Sequence, residues 1–508
     1  MPCISSSDRR ALAPRYQRPP ARTTWKCIRL FLCIWFGANR ASARAESPPA
    51  SASWYVAAPQ PGGRLVGTDR RGFWTDRGSH YRPDGKRDIS LKLPESLNEK
   101  ILFATLGRAG PVVVGDVGGE EGGATRLSAY DQRGGELWSV TLSGDSDTTG
   151  VSPVGLFVNP NGDVVLTGHF SGCVRFSGKE QGKRTCINER AARRFADGEC
   201  DPCHQAFVAL YDAHGELRSV FAPPGYPADF FAAAPDGRIA LAGGWDSSLD
   251  LDPDPDPARA TVVKQPGNPR PRMGSDQAFW SIFERPDGLR WLDGKALVTP
   301  KGGSAYPIGT TFDGDGALVT VVQVELGQRP RPCALIDGKL STDVRAERGD
   351  AVVVTIDAKE QVPSIDVLPA DESTSSPKLR FFSSPTGGVF AFGALRPPAG
   401  TVLVEPLKSR ERELVLVGLR GRVRGLAIGV PADIFDPQAV LVENIRVCVA
   451  FNLLAQHTLP QGNRTIIIGE PHVVGQTSSQ TMAIGCFRLP SPRDREAPSS
   501  PPAPPISN

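Results

Sequence analysis

The sequence of 508 residues has no apolar run long enough to span a membrane. Its one strongly apolar stretch, Cys27–Ala38, holds about ten apolar residues, whereas a spanning helix needs about 20. Basic residues precede this stretch, and small residues follow it from Ala41 to Ala45. This order is typical of a signal peptide, so we expect residues 1–45 to be removed on export and the mature chain to contain no transmembrane segment. A disordered leader is the alternative.

The chain also lacks an excess of charge of one sign and any long segment with the period of a helix. Its formal net charge is +3, from 58 Lys and Arg and 55 interspersed Asp and Glu. Nothing in this balance predicts nucleic acid as a partner. The 54 Gly and 47 Pro suit a chain that turns every eight to twelve residues or so. We therefore expect an all-β protein, built either as several domains or as one body of repeats.

Motifs of the common enzyme classes are missing as well. The six histidines are scattered, and the sequence has no Gly-x-Ser-x-Gly, no His-Glu-x-x-His and no phosphate-binding glycine loop. This absence favours a binding protein over an enzyme. A site assembled from one residue per repeat would leave no linear motif, so a hydrolase or lyase with acidic residues facing a central channel is the alternative.

A repeated unit is clearest in residues 226–294. Two strand-like runs, Ala228–Ala234 and Arg238–Gly243, flank a turn at Pro235–Gly237. After a polar loop, a second pair of runs flanks the turn at Pro286–Gly288. Two such hairpins predict a four-stranded antiparallel sheet. The preceding unit repeats this order, and the run Gln-Ala-Phe opens the third strand of both units.

Looser copies of the unit extend through residues 53–489 and bring the number to about seven. We expect the first unit to begin at Ser53 and to end with a strand at Ile89–Leu93. The length of the units varies mainly in the connection between the second and third strands, which predicts that the loops lie on one rim. The first three strands of the last unit are expected at Val447–Phe451, Thr465–Gly469 and Met482–Phe487.

These units resemble the β-propeller repeats of exported bacterial proteins, in which a turn with Asp or Asn before Gly precedes an apolar strand and a later strand begins with an aromatic residue. The resemblance covers residues 53–489, is strong in the third and fourth units and is faint in the last three. It implies a single β-propeller of four-stranded blades, seven in number, over residues 46–489. Six or eight blades or an interrupted propeller are alternatives, because the last unit shows no fourth strand. A pair of β-sandwiches or an irregular all-β body is a further alternative. Residues 490–508 are rich in Pro and Ser and should be disordered.

An acidic run in the fourth unit is the first candidate site. Carboxylates at every second position project from one side of an extended backbone, where a calcium ion would relieve their repulsion. Prolines between the carboxylates remove the flexibility of most calcium loops, so a solvated acidic loop is the alternative. The four carboxylates belong to Asp250, Asp252, Asp254 and Asp256.

A cysteine-rich loop in the third unit is the second candidate. Cys200, Cys203 and His204 match the Cys-x-x-Cys-His pattern that attaches c-type haem. Cys173 and Cys186 share the loop, so local disulfides, a zinc site or free thiols are alternatives to haem. We predict that these four cysteines are bonded to one another, because a polar loop without a core gains most from disulfides.

Two further cysteines, Cys448 and Cys486, fall in the first and third predicted strands of the last unit. They are candidates for a disulfide that the sequence permits but does not require. Strands separated by one neighbour lie about 9–10 Å apart, beyond the reach of a disulfide unless the pairing differs. Cys333 has no assigned partner. The sequence as a whole predicts an exported monomer that is located in the periplasm, at the cell surface or outside the cell. We expect it to bind a protein, glycan or other polymer and not to catalyse a reaction. No cofactor is expected other than a possible calcium ion.

Overall fold

Short strands make up nearly all of the secondary structure. The structure is a computed structural model, and the residues it describes are 53–56, 65–91, 93–94, 100–117, 124–144, 150–176, 184–186, 204–222, 228–245, 248–252, 261–264, 277–284, 290–299, 303–325, 333–337, 340–357, 363–370, 379–404, 413–431, 435–443, 446–453, 457–461, 464–468 and 481–489.

Twenty of the strands assigned in these ranges lie between residues 53 and 298. In chain order they are β1 (Ser53–Val56), β2 (Leu65–Asp69), β3 (Gly72–Thr75), β4 (His80–Tyr81), β5 (Lys100–Leu106), β6 (Pro111–Asp116), β7 (Thr125–Tyr130), β8 (Glu136–Gly144), β9 (Val151–Val158), β10 (Val164–Ser171), β11 (Cys173–Arg175), β12 (Arg184–Cys186), β13 (His204–Tyr211), β14 (Leu217–Phe221), β15 (Ala228–Ala233), β16 (Ile239–Trp245), β17 (Ser248–Asp250), β18 (Val262–Lys264), β19 (Gln277–Phe283) and β20 (Trp291–Val298).

Residues 304–488 add sixteen strands and one 3₁₀ turn, Gly421–Val423, within the same described ranges. The strands are β21 (Ser304–Phe312), β22 (Leu318–Glu325), β23 (Cys333–Asp337), β24 (Leu340–Val344), β25 (Ala351–Ile356), β26 (Ser364–Leu368), β27 (Arg380–Ser383), β28 (Val389–Gly393), β29 (Val402–Val404), β30 (Glu413–Arg420), β31 (Leu426–Pro431), β32 (Phe435–Val442), β33 (Arg446–Leu453), β34 (His457–Gln461), β35 (Arg464–Ile468) and β36 (Thr481–Arg488).

The strands form a seven-bladed β-propeller, which confirms the predicted fold class and blade number. Each blade is an antiparallel sheet whose first strand is innermost, and each innermost strand contacts the innermost strand of the next blade, including the last with the first. From inside to outside the blades are blade 1 (β2-β3-β4), blade 2 (β5-β6-β7-β8), blade 3 (β9-β10-β13-β14), blade 4 (β15-β16-β19-β20), blade 5 (β21-β22-β25-β26), blade 6 (β27-β28-β30-β31) and blade 7 (β32-β33-β36-β1).

The core is divided among the seven joints between successive blades. One apolar cluster lies in each joint, including the joint of blade 7 with blade 1, where Phe73 and Tyr81 pack against Leu441 and Ile484. Middle strands are covered on both faces, so they are apolar along their length; all six residues of β25 are buried. Tight turns join the strands, and Gly237 takes the positive φ of 95° that its turn between β15 and β16 requires.

The ring is closed by the N-terminal strand. β1 pairs antiparallel with β36, with Ser53 opposite Cys486 and Val56 opposite Ala483. Ser53 therefore belongs to the last blade, and the expectation that it opens the first unit is wrong. The fourth strand that the last unit lacks in its own sequence comes from the other end of the chain.

Two other expectations about the end units are corrected. Blade 7 begins with β32, its second strand is β33, and the segment predicted as a second strand forms β35, which pairs only with β34 in the described residues. Ile89–Leu93 is not a strand in its described residues, so blade 1 has three strands. The third strands of blades 5 and 6 are β25 and β30.

A buried charged network holds the incomplete blade 1 together. The Asp69 carboxylate accepts hydrogen bonds from the Trp74 indole at 2.5 Å and from the Arg71 and Gly72 amides at 2.7 and 3.1 Å. The His80 imidazole lies 3.3 Å from Asp69 through Nε2 and 3.7 Å from Asp88 through Nδ1. The network links all three strands of the blade to the segment that follows them.

The surroundings of the two carboxylates keep both ionised. Burial raises the pKa of Asp69, but hydrogen bonds from His80, Arg71 and Trp74 and the charge of His80 outweigh it, so its pKa is lowered. Burial likewise raises the pKa of Asp88, and hydrogen bonds from Ser90 and the Arg71 guanidinium at 2.7 Å lower it on balance.

Candidate ligand-binding site

The long connections of the chain all lie on one face of the ring. In an antiparallel blade the first and third strands run one way and the second and fourth run back, so connections from second to third strands leave at the face where innermost strands begin. We call this the insertion face and the opposite side the turn face. The short strands outside the blades follow second strands and therefore belong to the insertion face: β11–β12, β17–β18, β23–β24, β29 and β34–β35. The prediction that loop variation is confined to one rim is confirmed.

Two of these insertions extend the neighbouring blade. β11, from blade 3, pairs with β8 of blade 2, and β23, from blade 5, pairs with β20 of blade 4. The Tyr211 hydroxyl donates to the Phe176 carbonyl at 2.7 Å, which anchors the first insertion to its own blade, and burial raises the pKa of Tyr211. These two insertions therefore join blade 3 to the outer strand of blade 2 and blade 5 to the outer strand of blade 4.

β-Bulges interrupt six of the seven innermost strands, which surround the channel. In each of them one extra residue interrupts the pairing with the second strand, between the start and the middle of the strand. Bulges re-aim side chains and are enriched at barrel rims and beside active sites. We call these residues and the strand starts around them the channel mouth. The extra residues are Val66, Leu102, Val154, Asp229, Ile308 and Gln438.

The channel mouth is mainly apolar, with polar groups at two places. Four of the six bulge residues are aliphatic. The Val154 side chain is 37% exposed, whereas burial of a valine side chain would be favourable. Asp229 and Gln438 are the polar members, on blades 4 and 7. An apolar ring with few polar groups is the usual composition of a ligand site.

The first polar place lies between blades 3 and 4. His169 Nε2 is 2.6 Å from the Ala228 carbonyl oxygen, which can only accept, so Nε2 carries the proton. The Asp229 carboxylate is 3.9 Å from the same nitrogen and 65% exposed. The imidazole packs edge-on against Phe231 at 5.9 Å. Ser152 is the cross-strand neighbour of His169 on β9.

The second polar place lies between blades 6 and 7. Arg380, at the start of β27, donates to Asp436 Oδ1 at 2.5 Å and to the Pro437 carbonyl at 3.2 Å. Gln438 Nε2 donates to Asp436 Oδ2 at 2.6 Å. Asn452 lies directly opposite Asp436 in the pairing of β32 with β33. One guanidinium, one carboxylate and the amide of Gln438 therefore meet at this side of the channel mouth.

The predicted acidic site is only partly described. Asp250 is the last residue of β17, and Asp252 is the last described residue of the bend that follows. Asp250 Oδ1 accepts hydrogen bonds from the Thr261 and Asp252 amides at 2.8 and 3.2 Å. Burial and the charge of Asp252 raise the pKa of Asp250, against the lowering effect of these hydrogen bonds. Asp254 and Asp256 lie outside the described residues, and within the described part no group of His, Cys, Asp and Glu is arranged to hold a metal. Calcium binding stays a prediction.

Of the predicted cysteine cluster, one bond is described. Cys173 and Cys186 face each other across β11 and β12 and form a disulfide, as predicted for two members of the set. Cys200 and Cys203 lie outside the described residues, and for His204 only the backbone, opposite Ser171, is described. Haem attachment at this motif stays a prediction, as does bonding between the remaining pair.

The candidate disulfide between Cys448 and Cys486 is confirmed, although the two strands are not separated by a neighbour as predicted. β33 and β36 are direct neighbours, the two Cα atoms are 4.0 Å apart, and the residues form a disulfide buried in blade 7. Cys333 is free and buried, and burial with the charge of Asp350 raises its pKa to about 11.

The two disulfides differ in exposure, which leads to a prediction. Cys186 is exposed, whereas Cys448 and Cys486 are buried. With limiting reductant under native conditions, we expect alkylation of Cys173 and Cys186 well before Cys448 and Cys486, because exchange requires access to a sulfur atom. Peptide mass spectrometry over time measures both rates. Equal rates would contradict the burial of the blade 7 bond.

The channel mouth was missed by reasoning from sequence, although a signal is present. Three innermost strands carry a polar residue, a proline and then the bulge residue; proline lacks the amide that an unbroken ladder would need. In blades 2, 3, 4, 5 and 7 the bulge residue lies five positions before the first residue of the following turn, which aligns these blades; in blade 1 the interval is three positions. The three segments are Ser152–Val154, Tyr306–Ile308 and Asp436–Gln438.

Comparison with known proteins finds neither a matching family model nor a matching curated protein. Among solved structures, the chain is similar to a protein of unknown function from Dyadobacter fermentans, at 9% identity and a TM-score of 0.34, covering 76% of this chain and 93% of that one. It is also similar to the Dos1 propeller, at 8% identity and a TM-score of 0.35, covering 86% and 95%. The propeller domain of the Trilobed protease from Pyrococcus furiosus matches at 10% identity and a TM-score of 0.25, covering 68% and 98%.

Proposed function

We propose that this protein is an exported, non-enzymatic binding module that holds a protein, glycan or other polymer at its insertion face, with the channel mouth as the centre of the contact. The observation that carries this proposal is the set of bulges in six innermost strands, around a channel that opens on the face bearing every described insertion. A continuous, partly apolar surface with isolated polar groups suits an extended ligand.

Two observations support export. The described residues include two disulfides, which persist in oxidising compartments such as the periplasm or the extracellular space. No helix within the described ranges is long and apolar enough to cross a membrane. The basic and apolar leader of the sequence adds the expected targeting signal.

Binding is favoured over hydrolysis by the arrangement of the carboxylates at the channel mouth. Asp229 and Asp436 lie on blades 4 and 7, which are not adjacent in the ring. Asp436 is already bound by Arg380 and Gln438, so it is held as a paired anion. General acid and base pairs need two carboxyl groups on either side of one bond, with different environments.

The proposal predicts that a charge placed in the apolar ring abolishes binding. The purified protein is screened on arrays of polysaccharides and secreted proteins, and Val154→Asp is compared with wild type. We expect the affinity for any captured polymer to fall by about tenfold or more, or about 1.4 kcal/mol. Leu137→Asp is the matched control, because Leu137 is similarly exposed but starts β8 on the turn face. Loss with Leu137→Asp alone would overturn the proposal.

A further inference from the structure

The exposed charges of the turn face are unevenly distributed around the ring. Blades 6, 7, 1 and 2 are consecutive, because the innermost strands of blades 7 and 1 are in contact. At the turn-face ends of these four blades, six arginines have exposed side chains and form no ion pair with any residue that the structure describes. They are Arg70, Arg87, Arg108, Arg133, Arg424 and Arg488.

The carboxylates of the same four blades do not neutralise these arginines. Of the acidic residues described at their turn-face ends, two are buried, three lie within 4.0 Å of a different basic residue, and one is held by backbone amides of its own turn. We call the resulting positively charged surface the cationic half of the turn face. The acidic residues are, in that order, Asp69 and Asp88; Asp84, Glu136 and Glu443; and Asp131.

The rest of the turn face, on blades 3, 4 and 5, has a different composition. Each of the three arginines described at its turn-face ends lies beside a carboxylate, at distances of 2.8, 2.9 and 3.7 Å. Asp315 adds an exposed carboxylate in the turn between β21 and β22. Acidic and basic residues that are interspersed along the sequence are therefore separated in the ring. The three pairs are Arg238 with Asp236, Arg290 with Glu284, and Arg218 with Asp212.

Two arrangements within the cationic half place like charges together. Arg446 and Arg488 are directly opposite each other in the pairing of β33 with β36, and like charges in this position destabilise a sheet. Arg420, Arg422 and Arg424 follow at every second position around the 3₁₀ turn of blade 6. We expect a bound anion to relieve the repulsion in both places.

The six arginines are spread over an area rather than along a line. Arg70 and Arg108 lie in turns between first and second strands, close to the channel, whereas Arg133 and Arg424 lie in connections between third and fourth strands. Neighbouring strands are about 4.8 Å apart, so the outer turns lie about 10 Å farther from the channel than the inner ones. A linear polyanion would contact only part of such an array. A planar array of phosphate groups matches all of it.

We propose that the cationic half of the turn face binds the surface of a lipid bilayer that contains anionic phospholipids. Basic residues are attracted by the negative potential of such a surface, and a guanidinium group can donate two parallel hydrogen bonds to one phosphate. A propeller bound in this way directs its insertion face away from the bilayer. The inference therefore goes beyond the proposed function, which concerns only the insertion face.

Binding to vesicles tests the inference. Protein purified after export is sedimented with vesicles of phosphatidylcholine alone, or of phosphatidylcholine mixed with an equal amount of phosphatidylglycerol. We expect binding to the anionic vesicles only, and weaker binding when salt is raised from about 0.1 to 1 M, because the screening length falls from about 10 to about 3 Å. A variant that combines Arg108→Gln, Arg133→Gln and Arg424→Gln should lower the affinity about a hundredfold, since each basic residue near the bilayer contributes about fivefold.

A second combined variant is the matched control, because it removes the same charge elsewhere. Arg290→Gln, Arg345→Gln and Arg348→Gln change exposed side chains of blades 4 and 5, outside the cationic half. We expect this variant to bind the anionic vesicles as wild type does. Both combined variants should unfold at the wild-type temperature, because exposed arginines contribute little to stability. A loss of vesicle binding is then not a loss of fold.

The inference is overturned if the anionic vesicles are not bound, or if the two combined variants weaken the binding equally, which would make it a response to net charge alone. Binding of heparin or double-stranded DNA without binding of the vesicles would also overturn it, and would identify the partner as a linear polyanion. The proposed function is judged separately, because capture of a polymer on the arrays and its loss with Val154→Asp concern the opposite face.

Discussion

Replacing Asp69 with alanine is expected to lower the free energy of unfolding by about 3–5 kcal/mol, as the loss of one partner from a buried charged network does. The carboxylate is the common acceptor for the Trp74 indole and two backbone amides, and it lies beside the buried His80 ring. Its removal leaves these donors without a partner in a blade that has only three strands. Denaturant unfolding followed by tryptophan fluorescence measures the change.

Asp131→Ala is the matched control for Asp69→Ala. Asp131 also accepts two backbone amides, those of Arg133 and Gly135 at 2.8 Å each, but it does so in an exposed turn. Water replaces the lost bonds there, so we expect a change of about 1 kcal/mol or less. Equal effects of the two substitutions would show that the network in blade 1 is not buried as described.

The same network is expected to lower the free energy of unfolding as the pH falls. The pKa values of Asp69 and Asp88 are lower in the folded protein than the ordinary aspartate value of about 3.9. Their stabilising effect is therefore full above that value and is lost as the pH falls through the lower folded values. Asp69→Asn should flatten the loss of stability below about pH 4 relative to wild type. An unchanged acid profile would contradict this assignment.

The parts of the fold that could be predicted are those determined by residues close together in the sequence. The turn at Gly237 needs a residue that tolerates positive φ, and apolar runs such as Ala351–Ile356 are short and bounded by turns, so hairpins and their repetition are visible in the sequence. The Gln-Ala-Phe repeat also has a local cause: Gln205 donates to Ala222, and Gln277 accepts from Thr299. Both hydrogen bonds connect the start of the third strand to the segment that leads to the next blade.

The parts that could not be predicted depend on contacts between distant segments. Nothing in Ser53–Val56 indicates that it pairs with residues more than 400 positions away, so the strand was assigned to the nearest unit. In blade 7, the hairpin β34–β35 resembles a blade strand in composition, and only the pairing of β33 with β36 shows otherwise. The ion pair of Arg380 with Asp436 joins two blades, and no sequence pattern indicates it.

Deletion of residues 46–57 is the second change expected to have a large effect. It removes β1 and exposes the edge of β36, and four paired residues lose their hydrogen bonds. At about 0.5–1.5 kcal/mol net for each of roughly four bonds, we expect the free energy of unfolding to fall by about 2–6 kcal/mol.

Deletion of residues 490–508 is the control for this closing strand, since it shortens the chain at the other end by more residues without removing a described strand. We expect it to leave stability unchanged. The chain without β1 should also associate with itself, because β36 then presents a row of unpaired backbone groups that a second copy can pair with. Sedimentation velocity measures this association. A protein without residues 46–57 that stays monomeric and as stable as wild type would show that the ring does not depend on its N-terminal strand, and that the disulfide between β33 and β36 holds blade 7 by itself.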